Sequence, residues 1–329
     1  MTQPPFPPLG IGLIGLGRHG SRYAKHILND LPEARLVAVS RRRATEGSGL
    51  PSASAIPCYS DYHDLIDDPH VQAVVVVTPP ALNRDICLAV AGARKALLVE
   101  KPLAITAAEA RLIAGAARES RQVTMTAQTL RFDATVAALI ERQATIGALH
   151  YLSLVSRMEP HGFSEEVRGF GDRGCLLEIG IHLLDLIRVL TNDEVLAVSC
   201  DMDIVPPRGA ERRLFGRFTT TRGLVALVDA SRVSSGRIGR IELIGTEGQL
   251  SADWCARKIV QVSEQHGNVE WSTVADPTVL NTLRAFVRAV RECLPPSISI
   301  EDGKRAVEIA EACYASAKSD GSLVRVEYA

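Results

Sequence analysis

The stretch that decides the fold is Ile11-Gly12-Leu13-Ile14-Gly15-Leu16-Gly17-Arg18-His19-Gly20. Its first four residues predict a short strand, a helical pattern then runs to about Leu28, and a second strand follows at Leu36–Val39. A Gly-x-Gly-x-x-Gly motif between a strand and a helix allows a tight turn, whose amides can bind a pyrophosphate at a helix N-terminus. The stretch therefore predicts a dinucleotide-binding unit. Its candidate cofactor-binding residues are Gly15, Gly17, Arg18, His19 and Gly20.

The end of the second strand carries Ser40-Arg41-Arg42-Arg43. An Asp or Glu at this place usually binds a free ribose 2′-hydroxyl, and it would repel a 2′-phosphate. Guanidinium groups instead pair with phosphate oxygens, although a solvated basic loop is an alternative explanation. The sequence therefore predicts that Ser40, Arg41 and Arg42 contact the cofactor and that NADP(H) is preferred, with NAD(H) possible.

Strands and helices alternate as far as Ala127. The near-continuous valine run Val71–Val77 is typical of a parallel strand covered on both faces, and further strands are predicted at Leu97–Val99 and Val123–Ala127. This alternation predicts a doubly wound parallel sheet that binds ligands at the carboxyl ends of its strands. Candidate cofactor-binding residues at or just after those ends are Thr78, Pro79, Asn83, Glu100 and Lys101.

A second informative stretch is Gly174–Ile187, which as a helix is apolar almost all the way round. Glu178, His182 and Asp185 are the exceptions, and their offsets of four and seven place them within an arc of about 60°. Burying two carboxylates and an imidazole is costly unless partners satisfy them. This polar stripe is therefore either a structural hydrogen-bond cluster or the wall of a cleft, and the cofactor motif favours the cleft.

Strands dominate the second half, separated by turn signals such as Arg222-Gly223 and Gly267-Asn268. We expect a first domain over residues 1–128 and a second over 129–329. An arginine-rich stretch that includes Arg157, Arg168 and Arg173 precedes the polar helix; it either holds an anionic group of a substrate or is an ordinary solvated loop.

Composition excludes several classes of protein. The 37 Lys and Arg residues nearly balance 38 Asp and Glu, without a basic block, so nucleic acid and anionic membranes are not expected as partners. Seven widely spaced cysteines indicate free thiols in a reducing compartment, with no disulfides and no metal site. The N-terminus lacks signal-peptide features, and no apolar run approaches membrane-spanning length. We expect a cytoplasmic protein with a small-molecule substrate.

Several motifs resemble the glucose-fructose oxidoreductase / inositol dehydrogenase / MocA (Gfo/Idh/MocA) family, in order and spacing, over nearly the whole chain. They are the glycine motif, Thr78-Pro79-Pro80, Arg131-Phe132, Glu100-Lys101-Pro102 and the Gly174–Asp185 helix. The resemblance implies an α/β protein with a nicotinamide-binding Rossmann domain and a C-terminal α/β domain built on a large open, mostly antiparallel sheet. Members commonly use that sheet to form homodimers or homotetramers. The resemblance also suggests a cis peptide before Pro102.

Two residues depart from the family pattern. Asn83 stands where the family often has His, and Glu178 stands where it usually has Asp four residues before the helix His. The first departure can alter the lining of the nicotinamide side of the site. The second extends a carboxylate by one methylene, and we expect it to change how substrate hydroxyls are recognised.

The predicted function is NADP(H)-dependent oxidation or reduction of a polyol, sugar or sugar derivative. Lys101 is expected to hydrogen-bond the substrate oxygen, and His182 to act as acid/base because imidazole titrates near neutral pH. Glu178 is expected to orient the imidazole or bind a hydroxyl. Candidate substrate-binding residues are Arg131, Arg157, Glu178, His182 and Asp185. Two alternatives stay open: a reductase of another carbonyl or dihydrodiol-type substrate, and a non-catalytic NADP(H)-sensing regulator.

Overall fold

The computed structural model describes residues 7–42, 56–160, 170, 173–204, 210–265 and 267–329. Their contacts divide the chain into two compact units. The first unit comprises the described residues up to Ala104, together with Ala108–Gln128 and Pro277–Lys304. The second comprises Ile105–Ala107, Thr129–Asp276 and Arg305–Ala329. Pro277–Lys304 thus clusters with the first unit, whereas the sequence predicts that everything after residue 128 belongs to the second domain.

The first unit is built on a six-stranded sheet. Its strands are β1 Leu9–Ile14, β2 Ala34–Ser40, β3 Cys58–Tyr59, β4 Ala73–Val76, β5 Ala96–Glu100 and β6 Thr124–Ala127. They lie in the order β3-β2-β1-β4-β5-β6, and every pair is parallel. Every residue of β1, β4, β5 and β6 is buried, because these strands are covered on both faces. The predicted doubly wound sheet is confirmed, and its strand order reverses beside β1, where such sheets bind ligands.

The α-helices of the described chain are α1 Gly20–Asn29, α2 Tyr62–Asp67, α3 Asn83–Gly92, α4 Ala107–Ser120, α5 Ala134–Arg142, α6 Ile181–Thr191, α7 Thr278–Arg291 and α8 Ile300–Lys318. Helix α7 returns to the first unit because it packs on α1, and Arg291 donates a hydrogen bond to the Glu33 carbonyl at 3.0 Å. None of the helices in the described ranges is long and apolar enough to cross a membrane.

The second unit contains a nine-stranded sheet. Its strands are β7 Leu149–Arg157, β8 Val195–Ile204, β9 Glu211–Thr220, β10 Val225–Ser231, β11 Ile238–Gly245, β12 Gly248–Asp253, β13 Lys258–Ser263, β14 Gly267–Ser272 and β15 Val324–Arg325. The order is β14-β13-β12-β11-β7-β10-β9-β8-β15, and β7 pairs with β10 in parallel while the other pairs run antiparallel. The predicted mostly antiparallel sheet is confirmed. Strand β12 begins with Gly248 and ends with Asp253, residue types that are depleted in strands, so its sequence gives only a weak strand signal.

The two faces of this sheet differ. On the inner face, defined here as the one under α6, Leu152 and Leu154 of β7 and Ala230 of β10 are buried. On the opposite, outer face, Phe215 and Leu227 are each 44% exposed. Because side chains alternate along a strand, the position of each residue in its strand decides which face it reaches.

Candidate active site

The glycine turn after β1 leaves room for a cofactor at one position. Gly15 has φ +94°, and a Cβ on it would lie 2.2 Å from the Val77 carbonyl oxygen. A Cβ on Gly20 would lie 1.9 Å from the Gly15 carbonyl oxygen, so the protein itself requires these two glycines. A Cβ on Gly17 would meet nothing within 4 Å. The space in front of Gly17, just before the N-terminus of α1, therefore suits the close approach of a pyrophosphate.

A buried network joins this turn to the end of β5. The Glu100 carboxylate accepts hydrogen bonds from Tyr23 Oη at 2.6 Å and from the Lys101 amide at 2.9 Å, and His19 Nε2 lies 2.7 Å from Glu100 Oε1. Burial opposes ionisation of Glu100, but His19, Lys101 and Tyr23 outweigh it and hold its pKa below the ordinary value. Glu100 is thus engaged within the protein by His19, Tyr23 and the Lys101 amide, and its part in cofactor binding stays a prediction.

Asn83 connects the segments that follow strands β4 and β5 by hydrogen bonds. Its Oδ1 accepts a hydrogen bond from the Thr78 hydroxyl at 3.0 Å, and its Nδ2 donates to the carbonyls of Pro102 at 3.0 Å and Leu103 at 3.3 Å. The side chain is buried, and the Lys101–Pro102 peptide bond is cis, as the resemblance suggests. Because these bonds occupy both amide N–H groups, the contribution of Asn83 to the site is to hold the Thr78 and Lys101 loops. Lys101 itself is half-buried.

The basic residues predicted for the cofactor's 2′ position stand beside the turn. Ser40 is buried, and its carbonyl accepts a hydrogen bond from the Gly15 amide at 3.0 Å, which joins the end of β2 to the glycine turn. Arg41 is half-buried, whereas Arg42 and Arg18 are exposed. Arg43 lies outside the described residues.

The polar stripe of the second unit begins with a π-helical turn at Leu176–Gly180, which continues into α6. The Ile181 amide donates to the Leu176 carbonyl, the i→i−5 bond that defines such a turn; the sequence predicted a regular helix throughout. Between residues 175 and 187, Glu178 and His182 are half-exposed and every other residue, Asp185 included, is buried. The structure therefore separates Asp185 from the two residues that solvent and ligands can reach.

Glu178 is held by an arginine that the sequence did not reveal. Both oxygens of its carboxylate accept hydrogen bonds from Nε and Nη2 of Arg232, whose Nη1 also donates to the Glu159 carbonyl at 3.2 Å. The side chains of Arg232 and Glu178 are 14% and 24% exposed. Arg232 directly follows β10, and the alternation of side chains along that strand places it on the inner face. No local signal marks it, because its partner is 54 residues away along the chain.

Arg131 and Asp185, both predicted to bind substrate, bind each other. Arg131 Nε donates to Asp185 Oδ2 at 2.6 Å and Nη2 donates to Oδ1 at 2.5 Å, and the Asp185 side chain is only 1% exposed. This bidentate pair is the geometry that guanidinium and carboxylate groups prefer. Each of the two side chains is therefore engaged by the other, and substrate binding by either of them stays a prediction.

The prediction that Arg157 binds substrate beside Glu178 and His182 is corrected by the strand alternation. Arg157 Nε donates to Asp229 Oδ2 at 2.8 Å, and Asp229 lies on the outer face of the sheet. Ala230, the residue after Asp229, faces inward and packs under Gly180. Arg157 therefore lies on the face opposite to the polar stripe. Arg173 stacks over the Tyr314 ring and pairs with Glu311 at 2.7 Å, and Arg168 lies outside the described residues.

All seven cysteines are free thiols. Within the described ranges, no group of three or more His, Cys, Asp or Glu side chains is placed to hold a metal ion. What the structure does provide is a Rossmann unit with space for a dinucleotide, and a second unit with a half-exposed imidazole and carboxylate. The Rossmann unit places the chain in the dinucleotide-binding class of proteins.

Comparison with known proteins identifies the family. Residues 9–128 match the oxidoreductase family with an NAD-binding Rossmann fold, and residues 134–251 match the GFO/IDH/MocA C-terminal domain. The chain belongs to the Gfo/Idh/MocA family of oxidoreductases.

Individual relatives match along almost the whole chain. Myo-inositol 2-dehydrogenase of Thermotoga maritima is 29% identical over 331 residues, which cover 94% of this chain and 95% of the relative. The crystal structure of a probable dehydrogenase from Thermotoga maritima superposes with a TM-score of 0.83 at 27% identity, covering 97% of this chain and 99% of that one. Levoglucosan dehydrogenase in complex with NADH and levoglucosan shares the fold, with a TM-score of 0.87 at 22% identity and coverage of 98% and 100%.

Proposed function

We propose that this oxidoreductase transfers a hydride between a nicotinamide cofactor and a hydroxyl or carbonyl carbon of a sugar, polyol or sugar derivative. The observation that carries the proposal is the pair of half-exposed side chains, Glu178 and His182, on an otherwise buried helical segment. The myo-inositol 2-dehydrogenase of Thermotoga maritima supports the substrate class, since its similarity extends over both units.

The roles follow from the chemistry of the side chains. When bound, the nicotinamide supplies or accepts the hydride. His182 exchanges a proton with the reacting oxygen, because imidazole titrates near neutral pH. Lys101 donates a hydrogen bond to the oxygen on which charge develops. Glu178, with its carboxylate held by Arg232, accepts a hydrogen bond from a substrate hydroxyl.

Alanine variants test these roles. Lys101→Ala and His182→Ala should lower kcat by orders of magnitude on whichever polyol or aldose of a panel the wild type turns over, while cofactor affinity stays nearly unchanged. Matched controls are Lys95→Ala, which removes a lysine bonded to the Asp68 carbonyl, and His150→Ala, which removes an exposed histidine. Near-normal turnover in either test variant contradicts the assignment. Tight cofactor binding by the wild type without turnover of any substrate favours the regulator alternative.

We propose further that NADP(H) is preferred, because Arg41 and Arg42 follow β2 directly and no acidic residue stands at that strand end. Fluorescence titration should show tighter binding of NADPH than of NADH. Arg41→Ala and Arg42→Ala should weaken binding of NADPH more than that of NADH, whereas Arg35→Ala, an exposed arginine within β2, should change neither. Tighter binding of NADH by the wild type contradicts the proposal.

The outer face of the nine-stranded sheet is the proposed surface for homodimers or homotetramers. It exposes Tyr151, Phe215 and Leu227, by 43%, 44% and 44%, and it contains a recess of about 460 Å³ whose lining includes Phe215 and Leu227. Leu227→Glu should dissociate the oligomer in light scattering after gel filtration. Leu112→Glu, at a leucine of α4 in the first unit that is 56% exposed, should leave it intact. A wild-type protein that elutes as a monomer contradicts the proposal.

A further inference from the structure

We propose that Glu211 is a positioning residue for the reaction: its buried carboxylate fixes the start of the π-helical turn that carries Glu178 and leads to His182. The inference rests on the proposed function of these two residues. Glu211 is the first residue of β9 and has no place in the sequence motifs, since it lies 37 residues from the first amide that it binds.

Three hydrogen bonds converge on this carboxylate. The Gly174 amide donates to Oε2 at 2.9 Å, the Leu176 amide donates to Oε1 at 2.8 Å, and Tyr314 Oη donates to Oε1 at 2.9 Å. Glu211 is only 2% exposed. Amides at the start of a helical segment have no partner within it, so a carboxylate that accepts from two of them determines where the segment begins.

Backbone packing enforces the same approach. A Cβ on Gly174 would lie 1.9 Å from the Glu211 carbonyl oxygen and 2.9 Å from its backbone nitrogen. Only glycine therefore allows the chain entering the turn to lie directly on the first residue of β9. The hydrogen bonds of the Glu211 side chain and this close backbone contact therefore both fix the start of the π-helical turn to strand β9.

The neighbouring strand fixes the other end. The Arg232 amide donates to the Arg212 carbonyl at 2.8 Å, which continues the pairing of β9 and β10, and the Arg232 guanidinium binds Glu178. A Cβ on Gly180 would lie 3.3 Å from the Ala230 Cβ, so the end of the turn packs on β10. The turn is held between an anionic side chain of β9 and a cationic one that follows β10. A displacement of about 1 Å in a catalytic group can cost roughly 100-fold in rate, so the fastening at Glu211 matters for Glu178 and His182.

The charge of Glu211 argues for this specific role. Burial raises its pKa against the hydrogen bonds from the Leu176 and Gly174 amides and from Tyr314, so a neutral side chain would be easier to bury here. Glutamine has the same shape, but it would turn an NH2 group toward one of these donors. The carboxylate is the side chain of this size in which both oxygens accept.

The test compares Glu211→Gln with Glu308→Gln. Glu308 is an equally buried carboxylate, 2% exposed, whose Oε1 accepts from the Ala329 amide at 3.3 Å and whose Oε2 pairs with Arg305 at 3.4 Å. Glu211→Gln should lower kcat at least 10-fold, with KM changing less than kcat and the cofactor Kd within 2-fold of wild type. Glu308→Gln should keep wild-type kcat. Tyr314→Phe, which removes one donor of the three, should lower kcat about 2- to 5-fold and serves if Glu211→Gln does not fold.

Hydrogen exchange followed by mass spectrometry gives a readout that is independent of turnover. In a peptide covering residues 174–182, Glu211→Gln should speed deuterium uptake at least 10-fold, and Glu308→Gln should not. Unchanged uptake, or equal losses of kcat in the two variants, overturns the inference. Faster uptake together with a His182→Ala variant of normal activity shows that the turn is positioned by Glu211 but that the proposed function of His182 is wrong.

Discussion

Replacing Arg232 with methionine should destabilise the second unit by about 2–3 kcal/mol. Removing one partner of a fully buried ion pair costs about 3–5 kcal/mol, and removing one from an exposed pair costs about 0–1 kcal/mol. The Arg232 and Glu178 side chains are 14% and 24% exposed, so the pair is mostly but not fully desolvated and the cost of breaking it falls between these two ranges. Methionine keeps the packing of the apolar stem, so the loss is chiefly electrostatic.

Thermal unfolding of a double-mutant cycle measures this loss. For a unit of this size 1 kcal/mol corresponds to about 2–4 °C, so Arg232→Met should lower Tm by roughly 4–12 °C. Glu178→Gln combined with Arg232→Met should cost less than the sum of the two single changes, by at least about 1 kcal/mol. Arg237→Met is the matched control, because Arg237 is 65% exposed and pairs with Glu159 at 3.3 Å. Arg237→Met should lower the free energy of unfolding by only about 0.5 kcal/mol.

Two results would refute the reasoning. One is a cost for Arg232→Met no larger than for the control, and the other is additive behaviour in the cycle. Glu178→Asp adds a functional arm, because removing a methylene withdraws the carboxylate by about 1.5 Å and breaks the bidentate contact. This variant should shift substrate preference more than cofactor affinity, and an unchanged preference would contradict the assigned role of Glu178.

Three further predictions concern the remaining contacts. Gly17→Ala should leave Tm unchanged and weaken cofactor binding at least 10-fold by titration, and wild-type affinity in this variant would contradict cofactor binding in front of Gly17. Gly15→Ala should instead unfold the turn, because Gly15 has a φ of +94°. Because the pKa of Glu100 is lowered in the fold, its stabilisation is complete above the ordinary value of 4.5 and is lost as the pH falls below it. The difference in unfolding free energy between wild type and Glu100→Gln should therefore shrink as the pH falls below this value. A difference that stays constant with pH would contradict the lowered pKa of Glu100. Asp185→Asn should cost about 3–5 kcal/mol in thermal unfolding, since it neutralises the buried carboxylate that accepts both hydrogen bonds from Arg131; a loss under 1 kcal/mol would contradict a strong buried pair.

Local features of the chain were predictable because they depend on neighbours in sequence. The glycine turn, the valine strand β4 and the strand end at Glu100 each carry their signal within ten residues, and all three lie where the pattern predicts. The departure at Asn83 was also visible in the sequence. Its function was not, because the carbonyls of Pro102 and Leu103 that it binds come from another strand end.

The sequence alone determined the fold class and the residue types of the candidate site, because strand and helix periodicity and turn glycines act over a few residues. Tertiary structure decided which partners hold those residues: Arg232 meets Glu178 across 54 residues, and Glu211 meets Gly174 across 37. It also decided that Arg157 lies on the outer face, since one step along a strand reverses the direction of a side chain. Pairings between distant strands set these contacts, and no short pattern in the chain encodes them.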